Sequence, residues 1–240
     1  MLKPSSFFDG SFITIEIESK QMKKSTFDFL RELADNNNRE WFAKNKHLYE
    51  EAKIDLFALI TPLIKELSSI DPQFSADTEP KKCLLRIYRD IRFSPNKAPY
   101  KKNYGIAFDV KGYGPTTPSY YLHLEPGSCF FGAGFWMPES KVVKSIREEI
   151  DYSADEFLEV VNDKEYKALF SLSKEDSLKK APKGYEVDHP MIDYLKLKSF
   201  ISIYPLKEED FYQKDIVEKL IKAFHTIQPF ILFLRKAVDQ

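Results

Sequence analysis

The amino-acid sequence predicts an α+β fold: a single domain with a central, mainly antiparallel sheet at about residues 83–136, packed by N-terminal and C-terminal helices. Apolar residues recur at helical spacing toward both ends of the chain. Between residues 105 and 137, by contrast, only three side chains are charged. Helices, then strands, then helices is the order of an α+β domain rather than of alternating βαβ units.

The N-terminal stretch differs in pattern from the rest of the chain. Met22 begins the sequence M-K-K-S, which is typical of a translation start. We expect residues 1–21 to be a dispensable extension, Met22 to be a true or alternative initiator, and residues 22–240 to form the domain. Asp9 and Glu16 interrupt the order of basic, apolar and small residues that defines a signal peptide.

The helical pattern begins near Ser25, where Thr26 is the expected N-cap of a first helix. Three consecutive asparagines at residues 36–38 then break the pattern, because asparagine tolerates left-handed backbone and caps new helices. Helical spacing resumes over residues 39–67 as one long helix or two. Pro62 is expected either to kink this element or to open its second part.

Four strands are predicted next, from alternating or largely uncharged runs: Leu84–Arg89, Tyr104–Val110, Tyr120–Glu125 and Cys129–Trp136. The turn sequence E-P-G-S joins the last two strands as a hairpin. Helices are expected after the sheet, over residues 139–149, 153–161 and 208–238. The last of them is expected to be interrupted near Pro229.

Cysteine content and hydropathy bear on the compartment. Cys83 and Cys129 are too few and too far apart for a disulfide scaffold or a C-x-x-C metal site. We expect both to be buried free thiols, which favours a reducing, cytoplasmic location. No apolar run approaches the roughly 18 residues of a membrane span, so no membrane partner is expected.

Positive charge is concentrated in residues 81–103, which carry a formal charge of +7 in a chain whose net charge is −1. A cationic segment in an otherwise acidic chain suggests a site for an anion. Arginine guanidiniums donate two parallel hydrogen bonds to phosphate or carboxylate, and lysines add point charge. The expected ligand-binding residues are Arg86, Arg89, Arg92, Ser94, Lys97, Tyr100 and Lys101.

Two other interpretations of this segment stay open. On a strand over residues 84–89, Arg86 and Arg89 point to opposite faces unless the chain bends after Arg89. The arginines could then pair with carboxylates such as Asp90 and otherwise remain solvated. As the last alternative, the segment could form a docking surface for a polyanion or a protein.

His123 is the strongest candidate for acid–base chemistry. It lies in the middle of a predicted strand, with Tyr121 and Glu125 on the same face. A histidine beside a carboxylate can act as a general base near neutral pH, although the two side chains could also form a structural pair. Asp90 is the second candidate catalytic residue, as a group that orients an arginine. No metal-ligand spacing, nucleophile motif or nucleotide-binding loop is present, so neither a metal nor a cofactor is expected.

Three segments carry a family resemblance: Phe29–Phe42, Arg86–Lys101 and Ala181–Lys196. They resemble the domain of unknown function 2461 family, whose members are found mainly in bacteria. The likeness covers about residues 23–235, and its most specific part is R-I-Y-R-D-I-R-F-S-P-N-K-A-P-Y-K. This chain departs from the family pattern at Asn96, where aspartate is expected. The resemblance implies a family and no established activity.

Two functions of different classes therefore follow from the sequence. The first is binding of, or catalysis on, a small phosphorylated or carboxylated ligand at a cleft rich in arginine and lysine. The second is a non-catalytic module that docks nucleic acid or an acidic protein surface, with Tyr88, Phe93, Tyr100 and Tyr104 stacking on bases. The near-zero net charge favours the first function. The sequence carries no signal for an oligomeric state.

Overall fold

The computed structural model describes residues 21–109 and 117–238. The expected N-terminal extension therefore lies, apart from Gln21, outside the described residues. The end of the predicted strand at Val110 lies outside them too.

Helices make up most of the described chain. They are α1 (Lys24–Asp35), α2 (Arg39–Lys44), α3 (Lys46–Ile70), α4 (Pro80–Cys83), α5 (Ser140–Tyr152), α6 (Ala154–Asn162), α7 (Lys164–Leu169), α8 (Ile192–Leu195) and α9 (Ile216–Val238), with a 3₁₀ helix at Glu208–Tyr212. Within the described ranges, no helix combines the length and the hydropathy needed to cross a membrane.

One antiparallel sheet forms the centre of the fold. Its strands are β1 (Tyr104–Phe108), β2 (Ser119–Leu124), β3 (Cys129–Phe135), β4 (Ser171–Leu172) and β5 (Phe200–Leu206). They are arranged in the order β1-β2-β3-β5-β4. The α+β prediction is confirmed, but the sheet extends beyond residues 83–136, because β5 pairs along all of β3.

The predicted strand over residues 84–89 is wrong. This stretch contacts the chain around β1 only through isolated bridges, Leu84 with Ile106 and Tyr88 with Tyr100. Between the two bridges the chain advances four positions on one side, from 84 to 88, and six on the other, from 100 to 106. The second side therefore has two extra residues. The extra residues interrupt the ladder, so the segment is extended without forming a regular strand.

The stretch at residues 39–67 is two helices, one of the two predicted alternatives, and they meet at Asn45 rather than at Pro62, which lies inside α3. The interruption predicted near Pro229 is wrong. Helix α9 likewise runs through Pro229 without interruption. Each proline removes one backbone hydrogen bond, and the buried apolar faces of these two helices offset that loss.

The start of α1 is stabilised from a distant helix. Its N-cap is Lys23 rather than Thr26, and the Lys23 side chain makes no capping hydrogen bond. The Asp55 carboxylate of α3 instead accepts from the Lys23 backbone N–H at 2.9 Å and from the Thr26 hydroxyl at 2.6 Å. The Asp55 carboxylate of α3 therefore caps the N-terminus of α1 by accepting hydrogen bonds from its first residues.

The inner face of the sheet packs on α9. Phe224 of that helix meets the rings of Phe108, Tyr120 and Phe131 at centroid distances of 5.3, 5.2 and 5.0 Å. All four side chains are essentially buried. Because side chains alternate along a strand, the positions between these residues point to the opposite, outer face.

The outer face carries the polar side chains of the sheet. Gly105 pairs with His123, and His123 pairs in turn with Phe130 on β3. Ala107 pairs with Tyr121 on the same face. Neighbouring side chains, and not α9, cover these positions. His123 and Tyr121 are therefore half-buried and remain partly exposed to solvent.

Candidate functional site

The candidate site lies where residues 84–103, called the basic ribbon below, meet the outer face of the sheet. The two sides of the ribbon are joined by hydrogen bonds from the Arg89 N–H to the Pro99 carbonyl and from the Lys101 N–H to the Ile87 carbonyl. Asn37, from the loop before α2, holds the Tyr100 backbone through both its amide nitrogen and its amide oxygen, at 3.1 Å each. The ribbon is thus tied to the helical layer.

Arg89 stabilises the turn of the ribbon. Its guanidinium donates to the carbonyls of Ala98 at 2.9 Å and Asn96 at 3.4 Å, and to the Ser94 hydroxyl at 3.4 Å. The structure therefore brings the predicted residues Arg89 and Ser94 together, with the guanidinium directed at its own loop. Asn96 accepts from the Ala98 N–H at 2.9 Å, a bond that the aspartate of the family pattern could also accept.

Arg92 and Asp90 form an ion pair at the exposed end of the ribbon. The guanidinium donates to the two carboxylate oxygens at 3.0 and 2.7 Å. These hydrogen bonds lower the pKa of Asp90 to about 2. Lys97 lies in the same turn and donates to the Ile91 carbonyl at 3.0 Å. Asp90 thus pairs with Arg92, as one of the sequence interpretations expected.

Tyr100 packs into an aromatic cluster and is only 4% exposed. Its ring stacks on Phe42 of α2 at a centroid distance of 4.2 Å and an interplanar angle of 15°. Tyr88, across the ribbon, lies 5.3 Å from it. Burial raises the pKa of the Tyr100 hydroxyl. In this conformation Tyr100 anchors the ribbon to the helices rather than facing solvent.

Arg86 and Lys101 are the predicted cations that remain available. Neither forms an ion pair or a side-chain hydrogen bond with another described residue. Arg86 is exposed and Lys101 is half-buried. Burial, with the nearby positive charge of Arg86, lowers the pKa of Lys101. Two like charges therefore lie close together. Asp90 is near enough to Arg86 for that charge to help lower its pKa, but its carboxylate is hydrogen-bonded by Arg92.

His123 lies at the centre of a hydrogen-bonded group on the outer face. Its Nδ1 is 3.0 Å from the Tyr121 hydroxyl and 3.3 Å from the Asn103 amide nitrogen. Its Nε2 is 3.0 Å from a carboxylate oxygen of Glu125. Because the Asn103 amide can only donate, Nδ1 is the acceptor and the imidazole proton is on Nε2, from which it is donated to Glu125.

The surroundings of His123 restrain its ring. Phe130 of β3 stacks on the imidazole at 4.7 Å and 11°. The His123 side chain is 16% exposed and the Glu125 side chain 36%. The carboxylate on Nε2 orients the ring so that Nδ1 faces the Tyr121 hydroxyl and can accept its proton. The arrangement can therefore move a proton between a histidine base and a tyrosine hydroxyl.

Gly105 makes room for the Tyr121 ring. A Cβ atom at this position would lie 2.8 Å from the Tyr121 hydroxyl oxygen and 3.1 Å from Cδ1 of Leu85. Leu85, the residue before Arg86, therefore lies beside Gly105 together with Tyr121. Asn103, which contacts His123, follows Lys101 by two residues. Arg86 and Lys101 are thus within two residues of Leu85 and Asn103. The two cations therefore lie close to the His123 group along the chain.

Sequence reasoning missed three contributors to this site. Asn37 lies far from the ribbon in sequence, and nothing in its local pattern indicates that its amide binds Tyr100. Asn103 ends the cationic segment and was not recognised as a partner of His123. Gly105 begins a predicted strand, where an isolated glycine is itself a signal of close approach by another group.

Other reactive side chains lie elsewhere. Cys83 and Cys129 are buried free thiols, as expected. Burial raises the pKa of Cys83 to about 12 and that of Cys129 to about 11, so neither is activated as a nucleophile. Across residues 21–109 and 117–238, no three His, Cys, Asp or Glu side chains are grouped so that they could hold a metal ion.

Comparison with known proteins identifies the family of this chain. No protein of curated function and no solved structure matches it. A family model described as a conserved hypothetical protein, DUF2461, matches residues 25–233. That range includes the basic ribbon, all five strands and most of α9. The chain therefore belongs to the DUF2461 family.

Proposed function

We propose that this protein binds a small phosphorylated or carboxylated ligand where the basic ribbon meets the outer face of the sheet. Arg86 and Lys101 neutralise the anionic group of the ligand. The observation that carries the proposal is that Lys101, whose backbone N–H donates to the Ile87 carbonyl, lies across the ribbon from Arg86, and neither cation forms an ion pair with a described residue. Burial, and after it the charge of Arg86, lowers the pKa of Lys101. An anion bound between the two cations removes their repulsion and supplies acceptors for their N–H groups.

The remaining predicted residues take supporting roles in this proposal. Arg89 and Ser94 shape the turn, and Arg92 is already paired with Asp90. Tyr100 holds the ribbon against α2. The set of direct ligand contacts proposed here is therefore smaller than the set expected from the sequence.

Proton transfer is the second part of the proposal. His123, with Glu125 on its Nε2 and the Tyr121 hydroxyl on its Nδ1, is the group that would serve a reaction on the bound ligand. Asp90 lies on the ribbon, pairs with Arg92 and takes no part in this hydrogen-bonded group. His123→Gln is expected to leave ligand affinity within about threefold and to abolish turnover, which separates binding from catalysis.

The test is a thermal-shift screen of the full chain with phosphate, sulfate, nucleotides, sugar phosphates and small carboxylates. A ligand present at about 100 times its dissociation constant adds roughly 2.7 kcal/mol to the free energy of unfolding. Arg86→Gln and Lys101→Gln are each expected to weaken binding at least about tenfold, which is about 1.4 kcal/mol.

Lys97→Gln is the matched control, because it removes one positive charge from the same ribbon at an exposed side chain that donates to the Ile91 carbonyl, so no carboxylate is released. We expect it to change affinity less than about threefold. Equal losses in Arg86→Gln and Lys97→Gln would show that only the general charge of the ribbon matters. The proposed site would then be wrong.

The second candidate function is docking of nucleic acid at the end of the ribbon. Phe93 is 93% exposed there, Tyr88 is 50% exposed, and the Arg92 guanidinium lies 5.8 Å from the Phe93 ring. Tyr100 and Tyr104, expected to stack on bases, are buried instead. Binding of single-stranded oligonucleotides that falls steeply with salt and is lost in Phe93→Ala would favour this function.

The cytoplasmic location expected from the sequence also stays part of the proposal. Two free thiols in the described chain support it, because thiols are kept reduced in that compartment. Fractionation of native cells, with antibody detection of the chain, tests it.

A further inference from the structure

A cavity lies on another part of the molecule, between α5 and the loop formed by residues 181–191. Its volume is about 730 Å³, which is within the range of small-molecule sites. Helix α5 contributes Lys144, Arg147, Glu148 and Asp151 to the wall. The loop contributes Lys183 and Tyr185. None of these residues belongs to the basic ribbon or to the His123 group.

The acidic residues of this wall already have partners. Glu148 pairs with Lys144 at 3.5 Å, and Asp151 pairs with Nε2 of His189 at 3.0 Å. Nδ1 of His189 accepts from the Met191 N–H at 3.1 Å, so the proton is on Nε2 and is donated to Asp151. Arg147 and Lys183 have no carboxylate partner among the described residues.

Arg147 has more hydrogen-bond donors than acceptors around it. One terminal nitrogen, Nη2, donates to the Leu197 carbonyl at 2.8 Å. Its Nε atom is buried and has no hydrogen-bond partner. Burial lowers the pKa of Arg147. That nitrogen is closed off from the cavity, but the guanidinium lines the cavity wall and its Nη1 atom makes no hydrogen bond to a described residue. A carboxylate in the cavity can accept from such a terminal nitrogen.

We infer that this cavity binds a small monocarboxylate, with Arg147 as its main contact and Lys183 as a second cation. The five charged side chains of the wall, Lys144, Arg147, Lys183, Glu148 and Asp151, have a formal net charge of +1. That balance matches a single negative charge, whereas a phosphate dianion would leave an excess negative charge in the cavity. The ring of Tyr185 supplies a flat apolar wall for the body of the ligand.

The experiment uses the full chain and sodium benzoate as the probe, followed by NMR of the arginine Nε–H groups. Arg147→Lys identifies the Arg147 signal by its loss. We expect that signal to shift on titration with benzoate, and to shift much less with benzamide, which has the same shape without the charge. Inorganic phosphate is expected to bind at least about tenfold more weakly than benzoate.

Two variants separate this cavity from the basic ribbon. Lys183→Gln lies on an exposed loop and is expected to weaken benzoate binding about threefold, because it removes one cation from the wall. Arg86→Gln is expected to leave benzoate binding at Arg147 unchanged. Where Arg147→Lys fails to fold, the Arg147 signal is assigned by through-bond NMR from the backbone instead, so both variants still decide the proposal.

The proposal is overturned by any of three results. One is an Arg147 signal that stays still in tens of millimolar benzoate. Another is an equal response to benzamide, which would show that the charge is irrelevant. The third is an Arg147 shift that only parallels the shift of the exposed, paired Arg92, which would mark a general anion effect.

Discussion

The arginines of the basic ribbon have different roles because they have different partners. Arg89 donates to the carbonyls of its own turn, and Arg92 is bound by Asp90. Arg86 has neither kind of partner among the described residues and lies near Lys101. A side chain whose charge is already balanced has little to gain from a ligand, so the free cations define the proposed site.

The lowered pKa of Lys101 makes anion binding depend on pH. Below the lowered pKa the lysine is charged and attracts the anion. As the pH rises through it, toward the ordinary value of 10.5, Lys101 loses its proton and affinity should fall. Below the lowered pKa, charged Lys101 also lowers the unfolding free energy of the protein without ligand. That loss of stability is recovered as the pH rises from the lowered pKa toward 10.5.

Arg86→Gln tests this cause directly. Removing the neighbouring charge should raise the pKa of Lys101 toward its ordinary value, leaving the part of the decrease that is due to burial. The measurement is an NMR titration of the Lys101 side chain in both proteins. An unchanged Lys101 pKa in the variant would show that the two cations do not interact.

Gly105→Ala should displace Tyr121 from His123. The new methyl group would lie 2.8 Å from the Tyr121 hydroxyl oxygen, so the ring must move and its hydrogen bond to Nδ1 is lost. We expect a loss of about 1–3 kcal/mol in unfolding free energy, as is usual for overpacking. Urea denaturation and the NMR spectrum of the His123 ring provide the measurement.

Gly132→Ala is the control for this substitution. It lies on the same face of the sheet on β3, beside Tyr121, and its added Cβ would meet nothing closer than 3.5 Å, an ordinary contact. If Gly105→Ala matched Gly132→Ala in stability and left the His123 spectrum unchanged, Gly105 would not determine the position of Tyr121.

At the scale of elements, the ribbon depends on a loop between two helices. The three consecutive asparagines have separate roles. Asn36 donates to the Glu32 carbonyl at the end of α1, Asn38 caps α2, and Asn37 binds the Tyr100 backbone. Only the last of these contacts holds the ribbon.

Asn37→Ala should therefore loosen the ribbon without unfolding the helices. It removes two hydrogen bonds, each worth about 0.5–1.5 kcal/mol net, and leaves the Tyr100 N–H without its acceptor. Hydrogen exchange at Tyr100 and Lys101 should become faster, while α1 and α3 keep their protection. Asn36→Ala is the control, and equal exchange in the two variants would contradict the role of Asn37.

At the scale of the whole molecule, a buried ion pair joins three parts of the fold. Arg235 of α9 donates to the Asp71 carboxylate at 2.7 Å, just after α3, and the Tyr120 hydroxyl of β2 donates to the other oxygen at 3.1 Å. Asp71 and Arg235 are 0% and 4% exposed. Removing one member leaves an uncompensated buried charge.

Arg235→Met should consequently lower the unfolding free energy by about 3–5 kcal/mol in urea denaturation. His225→Gln is the matched control, because His225 pairs with Glu66 across the same two helices at 2.8 Å but is exposed. That pair should contribute less than about 1 kcal/mol. Similar losses in the two variants would show that burial does not decide the contribution.

The sequence correctly predicted those parts of the fold that depend on residues close together in the chain. The alternation of strand side chains placed His123, Tyr121 and Glu125 on one face, as the structure has them. The E-P-G-S turn predicted the β2–β3 hairpin. Strand β5 was missed, because its pairing with β3 joins segments about 70 residues apart and depends on the packed sheet.

By itself, the sequence determined the α+β class, the hairpin that carries His123, and the concentration of positive charge near residues 81–103, because composition and periodicity act over a few residues. Tertiary structure alone decided which of those charges remain available. Asn37 holds a ribbon residue 63 positions away, and Arg89 binds the carbonyls of a turn that exists only in the folded chain. Hydrogen-bond partners of this kind are chosen by position in space, and spacing along the chain carries little information about them.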